Sequence, residues 1–177
     1  MSGPGPSWPS SRWEVSDRQL SDFLSCPLAG GYVPVMRIED IIRSKGAGVV
    51  TVEPTATVED LVALLGEHRI GAVVVSSDGM HIAGIVSERD VVRKLGTLGA
   101  AVLTVPVSEI MTTTVHTCTP SDTLEETAHT MTYQRIRHLP VVVHGELHGV
   151  VSIGDVVKHR IDQLLDERNH LLGYLHA

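Results

Sequence analysis

Apolar residues recur along this chain with two different spacings that alternate. Between 58 and 65 they follow one another at three- and four-residue intervals, which is the spacing of one helical face. Two unbroken apolar runs, 72–75 and 82–86, flank Asp78-Gly79 and predict two β-strands joined by a tight turn. A β-rich stretch at 49–52 precedes the helix, and another helix follows the strands. The pattern therefore predicts the order β-α-β-β-α.

The same order then occurs a second time. A β-rich stretch is predicted at 114–117, a helix begins at the capping box Thr123-Leu-Glu-Glu126, and strands at 139–143 and 147–151 flank His144-Gly145. Short helical lead-ins at 38–42 and 107–111 open the two copies. Matching residues lie 66 positions apart before the turn: Pro54 and Pro120, Thr57 and Thr123, Glu59 and Glu125, Ile70 and Ile136. After the turn they lie 65 positions apart: Gly84 and Gly149, Ser87 and Ser152, Asp90 and Asp155.

Composition and repeat together divide the chain into four predicted segments. Residues 1–35 are rich in Pro, Gly and Ser without a sustained period, which predicts a flexible tail. The two copies of the repeat occupy 36–98 and 99–160. Residues 161–177 carry an apolar stripe at helical spacing between charged residues, which predicts an amphipathic helix. Because the strands are apolar throughout, we expect helices to cover the inner face of each sheet, an α+β architecture built twice.

Charge and cysteine content exclude several classes of function. Fourteen Lys and Arg against twenty-one Asp and Glu give a net charge of −7, which argues against a broad nucleic-acid footprint or an anionic membrane surface. No apolar run reaches the roughly 18 residues of a membrane span, and the first residues lack the features of a secretion signal. Cys26 and Cys118 form no disulfide framework or zinc motif, so we expect a reduced, cytoplasmic protein.

The histidines and thiols do not form a catalytic or metal-binding pattern. Ten histidines are scattered, and no pair is joined by a third ligand, so no metal site is predicted. Cys118 lies two residues from His116, but no orienting carboxylate accompanies them. We therefore expect a non-catalytic protein.

Polar chemistry is concentrated where the last strand of each copy meets its final helix. The two junctions are Gly84-Ile-Val-Ser87-Glu-Arg-Asp90 and Gly149-Val-Val-Ser152-Ile-Gly-Asp155. A Ser followed three residues later by Asp is itself a helix cap, in which Ser accepts a free amide and Asp favours the positive helix end. The same amides can receive a phosphate, and the carboxylate can accept hydrogen bonds from ribose hydroxyls. The two interpretations are compatible, and both stay open.

These motifs, in order and duplicated, resemble the CBS-domain family, specifically the tandem pair called a Bateman module. The resemblance covers about residues 37–160. It rests on Ile110-Met111, on the Pro-x-x-Thr helix starts, on Arg137-His138-Leu139-Pro140-Val141, and on the two Gly-x-x-Ser-x-x-Asp endings. It implies two motifs packed about a pseudo-twofold axis with two related clefts between them. In many family members these clefts bind AMP, ADP, ATP, NAD or S-adenosylmethionine.

The resemblance also implies which residues contact the ligand. Ser87 with Asp90, and Ser152 with Asp155, match the phosphate-side hydroxyl and the ribose-binding carboxylate. The first copy lacks Arg-His-Leu-Pro, so the Asp155 cleft is expected to be the occupied one if only one fills. The resemblance implies that residues of the opposite motif flank the base: Val50, Thr51, Ile70, Gly71 and Ala72 opposite Asp155, and Thr114 and Val115 opposite Asp90. Cations would bind the phosphate: Arg137 and His138 first, with Arg135, Arg89, Arg93 and Lys94 as further candidates.

We therefore expect a regulatory module that binds an adenosine-containing ligand, AMP first, and passes its occupancy to a partner protein. The stripe in 161–177 is expected to be covered in a homodimer. The alternative is a ligand-free dimerisation or protein-interaction module, in which Ser and Asp only cap helices. CBS pairs also occur inside inosine-monophosphate dehydrogenases, but this chain is too short for that enzyme's barrel, which needs about 250 residues.

Overall fold

The computed structural model of the protein describes residues 36–46 and 48–175. The tail predicted at 1–35 lies outside the described residues. Helices and strands alternate in two similar halves, joined by a pair of short 3₁₀-helices at Gly99–Thr104 and Val107–Glu109. In chain order the elements are α1 (Ile38–Lys45), β1 (Thr51–Val52), α2 (Val58–His68), β2 (Ala72–Val75), β3 (Gly84–Ser87), α3 (Glu88–Leu98), α4 (Leu124–Tyr133), β4 (His138–Val143), β5 (Glu146–Ser152) and α5 (Ile153–Leu175).

Each half has its own small sheet. In the first, β1 runs parallel to β2, and β2 pairs antiparallel with β3. In the second, β4 and β5 form an antiparallel pair. The strand predicted at 114–117 is wrong: the extended pairing is a single parallel bridge between Cys118 and Val141. Residues 114, 116 and 117 are exposed Thr and His, and Val115 is only half-buried. The next residue, Cys118, has its side chain in the core, and the pairing begins there.

The two hairpins close differently. His144 and Gly145 both have positive φ, 52° and 89°, as a two-residue turn of type I′ requires, and this turn was predicted. In the first hairpin, β3 begins at Gly84 rather than at 82, because the loop before it is folded around one carboxylate. Asp78 Oδ1 accepts hydrogen bonds from the amides of Met80 and His81, both at 2.8 Å. The tight turn predicted at Asp78-Gly79 is therefore a longer loop.

The predicted capping boxes begin α2 and α4. The Asp60 amide donates to Thr57 Oγ1 at 3.2 Å, and the Thr57 amide donates back to Asp60 Oδ2 at 3.1 Å. In the second half, the corresponding pair is Thr123 and Glu126, and the two equivalent hydrogen bonds measure 3.2 and 3.0 Å. Hydrogen bonds from these threonines hold the pKa of both acidic side chains below their ordinary values. The caps start the helices at equivalent places in the repeat.

The lead-in of each half packs against the other half. Ile38 and Ile41 of α1 are fully buried in the core built by α4, β4 and β5, whereas Val107 belongs to the core of the first half. The backbone repeats this exchange, since the Ile38 amide donates to Asp122 O at 3.0 Å and the Val107 amide donates to Ala56 O at 2.8 Å. The two halves are therefore interlocked, and α1 is brought to the end of β5.

In the part of the chain that the structure describes, none of the helices combines the length and the apolar character needed to cross a membrane.

Candidate functional site

The junction between β5 and α5 places a carboxylate at the start of a helix. The Ser152 amide and Ser152 Oγ both donate to Asp155 Oδ2 at 2.7 Å, and the Asp155 amide donates to Ser152 Oγ at 3.2 Å. The Asp155 side chain keeps 22% of its surface exposed. This is a complete helix cap whose carboxylate still reaches solvent, so the two interpretations of the motif hold together here.

Lys45, the last residue of α1, joins this cap. Its Nζ donates to Asp155 Oδ2 at 2.7 Å and to the carbonyl oxygen of Val150 at 3.0 Å. Burial alone would raise the pKa of Asp155, but the hydrogen bonds from Lys45 and Ser152 outweigh it and hold that pKa below its ordinary value. Asp155 is therefore ionised at neutral pH and paired with a cation from the other half's lead-in.

A cleft open to solvent lies beside this pair. Its walls come from both halves: Val50, Ile70, Gly71 and Ala72 from the first, and His138 and Val150 from the second, with Lys45 at its edge. Thr51 is half-buried in β1, next to Val50. Apolar side chains and backbone line most of the cleft, a composition suited to a flat aromatic ring with a few polar contacts.

His138 fills the wall of the cleft opposite Gly71. A Cβ on Gly71 would lie 3.6 Å from His138 Cε1 and 3.7 Å from Glu88 Oε2, so both side chains lie close to this glycine at ordinary contact distance. Burial lowers the pKa of His138, and the positive charges of Lys45 and Arg137 lower it further, against the opposing pull of nearby carboxylates. His138 is consequently uncharged at neutral pH.

The equivalent junction of the first half lacks the lysine contact. The Ser87 amide and Ser87 Oγ donate to Asp90 Oδ2 at 2.9 and 2.6 Å. Asp90 Oδ1 lies 4.0 Å from Nη1 of Arg93, which belongs to the same helix. Thr114 is exposed and Val115 is half-buried, and both follow the bridge between Thr112 and Ile85 of β3. The two junctions thus share a cap but differ in their charge partners.

The repeat and its junctions match a known family model. The CBS domain model matches twice, at residues 38–97 and 107–162. The chain belongs to the CBS-domain family. Two CBS domains in tandem form a regulatory module, as the resemblance implied, and the α+β Bateman architecture is confirmed by solved structures of the same family.

Relatives of this CBS pair include small CBS-domain proteins. The mitochondrial CBS domain-containing protein CBSX3 of Arabidopsis thaliana is 34% identical over 146 residues, which cover 78% of this chain and 71% of that protein. A CBS-domain containing protein from Agrobacterium tumefaciens has a solved structure with a TM-score of 0.68 and 42% identity, covering 71% of this chain and 99% of that chain. The structure of CBSX2 in complex with AMP has a TM-score of 0.59 and 26% identity, covering 72% and 97%.

The arginines predicted to meet a phosphate in the second half lie at exposed positions, and the cation that contacts Asp155 is one that was not predicted. Arg137 is exposed, and its carbonyl oxygen accepts a hydrogen bond from the Ile153 amide at 2.9 Å. Arg135 is exposed at a left-handed position, φ 55°, that ends α4. Lys45 was missed because Arg43 and Lys45 look like the solvated end of a short helix. The available signal was a basic residue next to Gly46 and Gly48, where the chain turns beside the cleft.

Cys118 and His116 do not line the cleft. Cys118 is buried in the second core, and burial raises the pKa of its thiol to about 12, which leaves no thiolate at neutral pH. His116 is exposed. Within residues 36–46 and 48–175, no three His, Cys, Asp or Glu side chains come together as metal ligands. These observations supply no nucleophile for a thiol mechanism.

Proposed function

We propose that this CBS pair is a non-catalytic, cytoplasmic sensor that binds an adenosine-containing ligand in the cleft beside Asp155. AMP is the foremost candidate, and ADP, ATP, NAD and S-adenosylmethionine contain the same adenosine. The observation that carries the proposal is a mixed cleft, apolar on its walls and polar at one end, built from both halves of the repeat. At that end an ionised carboxylate and a lysine lie 2.7 Å apart.

Each part of an adenosine ligand has a complementary feature in this cleft. The adenine ring fits between apolar residues such as Val50 and Ala72, where backbone groups can bind its edge. The ribose hydroxyls are donors, and Asp155 is an ionised acceptor in reach of solvent. The positive end of the α5 dipole favours a negative group. The AMP complex of the relative CBSX2 supports the same assignment.

The test is a thermal-shift panel with these five ligands on the wild type, Asp155→Ala and Asp90→Ala. Ligand at 100 times its Kd adds about 2.7 kcal/mol, which for a chain of this size raises Tm by about 5 to 10 °C. We expect AMP to give this shift, Asp155→Ala to abolish it and Asp90→Ala to preserve it. The two variants are matched, because each removes the carboxylate of one cap at a cost of about 1 kcal/mol.

The competing function is a ligand-free interaction module, and the complete Ser152–Asp155 cap favours it, because capping alone explains both residues. Under that hypothesis none of the ligands shifts Tm, and both alanine variants lose a similar amount of stability. That outcome would overturn the sensor proposal and establish capping as the role of the motif.

We further propose that a second copy of the chain covers the outer face of α5. Val157, Ile161, Leu164, Leu165, Leu171 and Leu172 on this helix are 42–66% exposed. The equivalent helix of the first half, α3, exposes Val92, Leu95 and Leu98 as well. A surface of this kind on a single copy favours association.

A sensor acts through a protein that responds to its state, so we propose a partner protein that distinguishes the ligand-bound from the ligand-free conformation. A ligand can shift the module only by its differential affinity for two shapes. The lead-in helix α1 is a suitable output element, since Lys45 ties its end directly to the carboxylate of the cleft.

A further inference from the structure

Lys45 has hydrogen-bonding capacity left over at the edge of the cleft. An ammonium group carries three N–H donors, and two of them go to Asp155 Oδ2 and Val150 O. The side chain is 42% exposed and lines the cleft, whereas the arginine of the predicted Arg137-His138 pair does not. One N–H donor of a cationic group is therefore available to a ligand.

The carboxylate partner of Lys45 also keeps one oxygen available. Asp155 Oδ2 accepts from Ser152 twice and from Lys45 once, while Oδ1 has no hydrogen-bond partner among the residues that the structure describes. A hydroxyl of the ligand can therefore bind Oδ1 while Lys45 remains bound to Oδ2. The lysine and the carboxylate can act on one ligand together, and neither has to be displaced.

Lys45 is also the feature that distinguishes the two junctions of the repeat. Ile42 and Met111 lie at equivalent positions, against the equivalent glycines Gly149 and Gly84. Beyond Ile42, Lys45 contacts the Asp155 carboxylate, whereas the charge partner of the equivalent Asp90 is Arg93 of its own helix, at 4.0 Å. His138 is uncharged at neutral pH, so Lys45 is the one cationic side chain among the described residues that line the cleft.

We propose that Lys45 is the residue that makes the Asp155 cleft select an anionic, phosphorylated adenosine over the uncharged nucleoside. This inference rests on the function proposed above and adds the selectivity of the site. Lys45 donates a charge-assisted hydrogen bond to a phosphate oxygen, while Asp155 accepts from the ribose. Adenosine has no phosphate and can make only the contact between its ribose and Asp155.

The test is calorimetric titration of AMP and adenosine into the wild type, Lys45→Gln, Lys45→Arg and Lys158→Gln. Lys158→Gln is the matched control, because it removes the same charge from an exposed position on α5 that does not line the cleft. In Lys45→Gln we expect AMP binding to weaken about 10- to 100-fold, the loss of one charge-assisted bond, and adenosine binding to change less than threefold. Lys45→Arg keeps the charge and most of the preference, and Lys158→Gln changes neither ligand.

Other outcomes overturn the inference in distinguishable ways. An equal loss for both ligands in Lys45→Gln would show that Lys45 only positions Asp155. A gain for both would show that it occupies the carboxylate in competition with the ligand. If AMP binds the wild type and Lys45→Gln equally, the selectivity claim fails while the sensor stands. If the wild type binds neither ligand, the sensor fails and the selectivity claim fails with it.

Discussion

Ile42 of the first half lies against Gly149 of the second, so closely that a Cβ on Gly149 would fall 2.5 Å from Ile42 Cδ1. The equivalent contact on the other side of the repeat is between Met111 and Gly84, where a Cβ would fall 2.7 Å from Met111 Sδ and 2.9 Å from the carbonyl oxygen of Thr112. The two glycines of the Gly-x-x-Ser-x-x-Asp motifs thus have a packing role. Each lets the lead-in from the other half reach the strand that carries the site.

We expect Gly84→Ala to destabilise the protein by about 1–3 kcal/mol, because the added methyl group meets backbone that cannot move away cheaply. Gly149→Ala should cost less, since Ile42 Cδ1 is the end of a flexible side chain that can change rotamer. Urea unfolding measures both. Gly66→Ala is the control: no atom lies within 4 Å of its added methyl group, and helix propensity predicts a gain of up to about 1 kcal/mol. An unchanged midpoint for Gly84→Ala would refute the close contact.

A buried hydroxyl in α4 offers a way to stabilise the second half. Thr127 Oγ1 is buried without a hydrogen-bond partner among the described residues, although Thr127 lies where the first half has Leu61. Thr127→Val keeps the shape and removes the unpaired hydroxyl, so we expect a gain of about 1 kcal/mol in chemical unfolding. Thr130→Val is the matched control, because Thr130 Oγ1 already donates to Glu126 O at 2.9 Å. A clear loss of stability in Thr127→Val alone would contradict this account.

Stability should fall on the acid side because of His138. Burial, Lys45 and Arg137 lower its pKa in the folded protein, against Asp155 and Glu88, which raise it. Below about pH 6.5 the unfolded chain binds a proton that folded His138 does not, so this contribution is present above pH 6.5 and is lost as the pH falls towards the folded pKa. When urea midpoints are measured from pH 5 to 8, the His138→Gln variant should lose less stability at acid pH than the wild type does.

The pKa of His81 is shifted in the opposite direction to that of His138, so His81 serves as the comparison. Its Nδ1 lies 2.6 Å from Asp78 Oδ2, and this partner raises the pKa of His81. Its contribution is therefore present below about pH 6.5 and is lost as the pH rises through the folded pKa. His81→Gln should make the protein relatively less stable in acid. If both variants shift the pH profile in the same direction, the assignment of His138 is wrong.

Removal of residues 161–177 should convert a dimer into a monomer in light scattering, because it deletes most of the exposed apolar residues of α5. The double variant Leu164→Lys, Leu172→Lys makes the same test without shortening the chain. Asp162→Ala, at an exposed polar position of the same helix, should leave the dimer intact. A wild type that is monomeric, or a double variant that still dimerises, would contradict the proposed interface.

The repeat made most of the fold predictable, because capping boxes, turn residues and apolar strands are local signals. Thr57, Thr123 and His144-Gly145 specify their helices and turn through contacts within a few residues. The exchange of lead-ins was not predictable from the same signals. The apolar spacing of Ile38 and Ile41 shows that one face is buried, but it does not indicate against which half.

The candidate site was predictable only in part for the same reason. Ser152 and Asp155 form a local motif that the sequence contains in full. Lys45 reaches them from 110 positions away, so its contact depends on the packing of α1. The prediction of a strand at 114–117 was wrong for the same reason, because the position of the pairing depends on a long-range contact, the bridge between Cys118 and Val141.

The most direct test of the central claim is a crystal structure of the protein grown with saturating AMP. The account predicts ligand density in the cleft beside Asp155, with the adenine between Val50 and Ala72, the ribose at Asp155 and the phosphate in reach of Lys45. Density confined to the Asp90 junction, or a cleft beside Asp155 that stays empty at saturating AMP, would contradict it.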